Sequence, residues 1–129
     1  MSYTDAGFQN LQAWTPSFTP ASGSITNVNI FYAKYCIIGK LCFYQFKAKM
    51  DVSTNTSYIK CTMPTNLDSV LDVGDAAMGI GVYNDGNYVS CYALSFNTGN
   101  EVYINKYDGT ALSSGTAVLV TMEGKYEIA

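Results

Sequence analysis

A chain of 129 residues with seven lysines, ten acids, no arginine and no histidine carries a net charge of −3. With fewer bases than acids, no basic face able to displace the counterions of a nucleic acid is expected, and histidine triads and histidine-ligated zinc are excluded outright. Hydrophobic residues make up 48% and charged residues only 13%, against a usual charged share of about 25%, which excludes a disordered tail or a charge-laced coiled coil and leaves surface to be buried against a partner.

The length suits one domain spanning 1–129, with 1–13 as an N-terminal arm. Met1-Ser2-Tyr3-Thr4-Asp5 lacks the basic and apolar regions of a secretory signal, and no apolar run reaches the roughly 20 residues that span a bilayer, so no membrane insertion is expected. The Thr/Ser/Pro/Gly stretch at 15–24 reads as a loop. From residue 31 the pattern has period two. Residues 31–38 lead into a turn at Gly39-Lys40, and residues 41–50 set Cys42, Tyr44, Phe46, Ala48 and Met50 on one face, with Leu41, Phe43, Gln45, Lys47 and Lys49 on the other. Alternation around a glycine turn predicts a β-hairpin. The second strand is apolar on both faces at its start; a sandwich core accounts for one apolar face, and subunit contact is one explanation for the other.

Tyr58 to Met63 forms a short strand that stops at Pro64, which has no N–H to give a ladder. Residues 66–75 hold a turn of helix or a strand crossover. Ala76 to Tyr83 puts Met78, Ile80 and Val82 on one face, opposite Gly79 and Gly81. Asn84-Asp85-Gly86 is a hairpin turn, because asparagine and glycine tolerate positive φ. Tyr88, Tyr92, Leu94 and Phe96 then alternate with Val89, Cys91 and Ala93. Thr98-Gly99-Asn100 turns the chain into a strand with Val102 and Ile104 on one side and Glu101, Tyr103 and Asn105 on the other. Asp108-Gly109 closes it, 117–122 is the next strand, and 124–128 adds a short last one. The whole predicts an all-β fold: an antiparallel β-sandwich, jelly-roll-like, of about eight strands.

Chemistry-bearing motifs are sparse. Cys36, Cys42, Cys61 and Cys91 lack the Cys-x-x-Cys spacing of zinc or redox sites and lie in apolar strands, as buried free thiols do. Asp68, Asp72 and Asp75 share a loop without the EF-hand pattern, so no metal site is expected. Gly79-Ile80-Gly81 lies inside a strand and is no phosphate loop. No catalytic constellation is visible, so neither catalysis nor a cofactor is expected. Tyrosine is the anomaly, with eleven copies. It joins an apolar ring to a hydroxyl and suits interfaces and sugar stacking. Two clusters are candidates for weak sugar binding: Tyr83, Asn84, Asp85 and Asn87 at one hairpin, and Tyr103, Asn105, Tyr107 and Asp108 near another. Ordinary turns with solvated tyrosines are the competing reading of the same residues.

One family resemblance stands out. Ala13-Trp14-Thr15-Pro16-Ser17-Phe18, then Tyr35-Cys36-Ile37-Ile38-Gly39-Lys40-Leu41, Met63-Pro64 and Gly124-Lys125-Tyr126, resemble the C-terminal β-sandwich tips of bacteriophage tail fibres, tailspikes and receptor-binding proteins. These are fold markers rather than ligand residues. The resemblance implies a homotrimer that attaches to a host-surface polysaccharide, sits in the virion beside other virion proteins, and is made in the bacterial cytoplasm. A structural virion role without binding, as a trimerisation tip or capsid decoration, is the alternative.

Overall fold

The computed structural model describes residues 11–67, 77–95 and 99–128. The acids of the 68–75 loop, most of the expected crossover, Phe96 and Thr98 lie outside the described residues. Among the described residues nine strands follow one another: β1 Gln12–Ala13, β2 Phe18–Pro20, β3 Ile25–Ile38, β4 Leu41–Val52, β5 Ile59–Thr62, β6 Ala77–Asn84, β7 Tyr88–Ser95, β8 Glu101–Lys106 and β9 Gly115–Glu127. There is no helix among the described residues, hence none long and apolar enough to cross a membrane. The strands form one antiparallel sheet in the order β1-β3-β4-β9-β6-β7-β8-β5-β2. The sheet curls until its two ends meet, which gives the expected all-β, sandwich-like architecture.

The segment between β1 and β2 closes the seam. β1 pairs with β3 at one end of the sheet, and β2 pairs with β5 at the other, so residues 14–17 cross from one end to the other. Trp14 donates its indole N–H to the Thr62 carbonyl at 3.0 Å. Its ring meets Tyr35, Tyr44 and Phe46 edge to face, with centroids 6.1 to 6.3 Å apart. Ser17 N–H donates to Thr62 Oγ1 at 2.8 Å, and Thr62 N–H returns a bond to the Ser17 carbonyl at 3.1 Å. The 15–24 loop of the sequence reading thus contains a strand, too short to carry a period of its own.

The inward face is built by alternation. β4 contributes Cys42, Tyr44, Phe46, Ala48, Met50 and Val52, and β9 contributes Val118, Val120, Met122 and Tyr126. Ile59 and Cys61 come from β5, Cys91 and Ala93 from β7, Val102 and Ile104 from β8. The two expected C-terminal strands are one, because Gly124 continues β9 opposite Tyr44 and Gly79. Two bulges let β3 begin at Ile25 rather than 31: residues 27 and 28 face the single position 50, and Phe31 has no counterpart on β4.

A further bulge corrects the reading of β6. Met78 is the extra residue between Ala77 and Gly79, and it turns into the core at 2% exposure while Ile80 and Val82 stay outside at 67% and 39%. The inward side of β6 carries Gly79, Gly81 and Tyr83. The glycines are required there. A Cβ on Gly79 would lie 2.2 Å from the Tyr44 hydroxyl oxygen, and one on Gly81 would lie 1.9 Å from the Thr121 carbonyl oxygen. All four cysteines are free thiols and buried. Cys36 alone belongs to the outward register, opposite Phe43.

Candidate functional site

The ladder register fixes what the outer face displays. One row runs Lys34, Gln45, Glu123, Ile80, Tyr92, Asn105 across β3, β4, β9, β6, β7 and β8. The next runs Tyr32, Lys47, Thr121, Val82, Ser90 and ends beside Tyr107, whose N–H donates to the Ser90 carbonyl at 3.0 Å. Two adjoining depressions of about 680 and 630 Å³ lie along these rows. Gln45, Ile80 and Glu123 line both. The larger also takes in Leu11, Lys34, Phe43 and Lys125, and the smaller takes in Tyr32, Val82, Ser90, Tyr92, Tyr107 and Thr121. Aromatic rings and aliphatic side chains thus share one surface with an amide, a carboxylate, two ammonium groups and the hydroxyls of Ser90, Thr121 and three tyrosines. Such a surface can stack apolar faces and exchange hydrogen bonds at the same time.

The residues singled out from sequence divide sharply. Tyr83 is buried: it is 1% exposed and its hydroxyl donates to the Ser113 carbonyl at 2.6 Å. Its neighbours hold the hairpin turn. Asn84 Oδ1 accepts from Gly86 N–H at 3.0 Å, and Asp85 Oδ1 accepts from Asn87 N–H at 3.0 Å. Asp85 Oδ2 also accepts from the Ser113 hydroxyl, which with the Asn87 amide keeps that carboxyl below its ordinary range. Asp108 does the same work at the next turn, accepting from the Thr110 hydroxyl at 2.6 Å and amide at 3.0 Å, and its pKa is lowered for that reason. These acceptors complete turns, as Asx motifs do.

Tyr103 leans on Tyr58 with centroids 4.3 Å apart, outside both depressions. Asn105 stands beside Tyr92 in the outward row. Of the eight residues, Tyr107 alone lines a depression, and it is 64% exposed. The two predicted clusters therefore lie mostly outside the depressions, whose lining residues Tyr32, Gln45, Ile80, Tyr92 and Glu123 are not among those singled out from sequence. Their signal was present in the alternation: once glycines mark the inward side of β6, Ile80 and Val82 must face out.

Among the described residues, no three His, Cys, Asp or Glu side chains gather as a metal site would require. The chain matches no family model, no curated protein and no solved structure.

Proposed function

We propose that this chain is a receptor-binding tip module of a bacteriophage virion, that it acts as a homotrimer without catalysis, and that it holds a host-surface polysaccharide on the outer face of β4, β9, β6 and β7. One observation carries the binding part: Tyr32, Ile80, Tyr92 and Tyr107 line a common depression with Gln45, Glu123, Ser90 and Thr121. The virion assignment rests on the tail-fibre resemblance of residues 13–18, 35–41, 63–64 and 124–126. Self-association draws support from Val28, Ile37 and Ile38, all on β3 and each more than 40% exposed. Three copies would raise avidity for a repeating polymer without any new contact.

A panel of immobilised bacterial polysaccharides tests the reading, with light scattering on the same sample. A trimer that binds at least one polysaccharide, and loses that binding when Tyr92 or Tyr107 becomes alanine, supports it. Silence across the panel from an intact trimer favours the structural virion role, and a monomer of 14.0 kDa at micromolar concentration contradicts the oligomer.

A further inference from the structure

The lysines are not spread evenly. Among the described residues the one ion pair is Lys60 with Glu101, at 3.9 Å. Lys34, Lys47, Lys49 and Lys125 lie on β3, β4 and β9, and the register places all four on the outer face. They occupy four consecutive rows, marked along β4 by Phe43, Gln45, Lys47 and Lys49. Rows on one face are about 7 Å apart, so the stripe is about 20 Å long. In an acidic protein of net charge −3, four lysines on these rows outnumber the carboxylates beside them, Glu123 within the rows and Asp51, which feels Lys49, at their end. Glu123 is the outward acid within those rows. Glu127 lies one row beyond, opposite Leu41. Asp51, past Lys49, is occupied by Asn27 Nδ2 at 2.7 Å and Ala117 N–H at 2.8 Å. Lys47 lies over the Phe31 ring at 5.5 Å, which holds its charge at the surface beside the depression.

Across the sheet from the lysines stand Ile80, Val82, Tyr92 and Tyr107. A polymer lying along the strands would meet ammonium groups on one flank and an apolar, aromatic flank on the other. We propose that the ligand of this face is an anionic polysaccharide, one whose sugars carry regularly spaced carboxylates, with Lys34, Lys47, Lys49 and Lys125 as its charge contacts. The inference rests on the glycan reading above and narrows it to a class. Length argues for a polymer over a single small anion, because no one anion reaches four rows. The net charge of −3 argues against a nucleic acid or an anionic lipid surface; the aromatic flank would stack sugar C–H faces, and because it would also stack bases, DNA and lipid vesicles are kept as competing probes.

Polygalacturonate, its carboxyl-reduced neutral counterpart, single-stranded DNA and phosphatidylserine vesicles are the probes, each titrated against the wild type and against Lys47→Gln/Lys49→Gln, Glu123→Gln and Tyr92→Ala. These positions are at the surface, and unchanged thermal unfolding confirms that each variant is folded. The expected result is binding of polygalacturonate but not of the reduced polymer. Each lysine removed should weaken it about two- to fivefold, the range of an exposed ion pair. Glu123→Gln should tighten it by a similar factor, Tyr92→Ala should weaken it, and salt near 1 M, with a Debye length of about 3 Å, should abolish it. Equal binding of DNA or vesicles, indifferent to Tyr92→Ala, overturns the proposal in favour of a general polyanion surface. Salt-independent binding of neutral polysaccharides overturns it while leaving the glycan reading intact. No binding to any polysaccharide overturns both.

Discussion

Asp51 shows how single residues shape this sheet. It sits on β4 between two bulges, one on β3 at residues 27 and 28 and one on β9 at 116 and 117. Asn27 and Ala117 both have positive φ, 53° and 56°, and each donates a hydrogen bond to the same carboxylate, which lowers the Asp51 pKa chiefly through Asn27 and then Ala117. Asparagine tolerates the left-handed region, but alanine pays for it with a Cβ clash of about 1–2 kcal/mol. Ala117→Gly should therefore stabilise the fold, by about 0.5–1 kcal/mol once the extra freedom of glycine in the unfolded chain is subtracted. Urea denaturation checks this through a raised midpoint at unchanged slope. None of this was legible in the sequence, because a bulge breaks the alternation that makes strands readable, and β3 was accordingly started at residue 31, just where its second bulge lies.

At the scale of strands, the close approach of β6 to β9 depends on glycine. Gly81→Ala would drive a Cβ into the Thr121 carbonyl and the Met122 sulfur, and backbone cannot yield as a side-chain tip can. The expected cost is about 3 kcal/mol, at the upper end for overpacking, read as a drop in melting temperature. The seam is the second dependent element. Trp14→Ala removes three edge-to-face contacts and the bond to Thr62 and should cost about 3–5 kcal/mol. The strands with unbroken alternation, β4, β7 and β8, were read from sequence with their faces correctly grouped. Those with a bulge or only two or three residues, β1, β2, β3, β6 and β9, were missed, shortened, split or grouped wrongly. The same fault hid the candidate site, since putting Met78, Ile80 and Val82 on a common face conceals that Ile80 lines the outer depression. Trp14, Gly124 and Tyr126 all serve packing.

For the whole molecule, the core sets a limit at alkaline pH. Burial pushes the Cys91 thiol up to about 12, and it likewise raises Cys42, Cys61, Tyr44, Tyr83 and Tyr126. Each of these groups ionises more readily in the unfolded chain, near 8.5 for cysteine and 10 for tyrosine. The stability they contribute is complete below those values and falls as pH climbs toward the folded ones. Unfolding free energy should hold level up to about pH 8 and fall steadily between about pH 9 and 12, with Trp14 fluorescence as the probe. A level profile through that range would mean the thiols and phenols are more accessible than the packing describes.

The central claim is that the outer face of β4, β9, β6 and β7, rather than the hairpin turns, is where a ligand docks. Amide chemical-shift mapping during titration with a polysaccharide that the protein binds tests this most directly. The account predicts shifts concentrated at Tyr32, Gln45, Ile80, Tyr92, Tyr107 and Glu123, with Trp14, Tyr83 and the Asn84 to Asn87 turn unmoved. Shifts centred on that turn, or on Tyr103 and Tyr58, with the outer face silent, would contradict it.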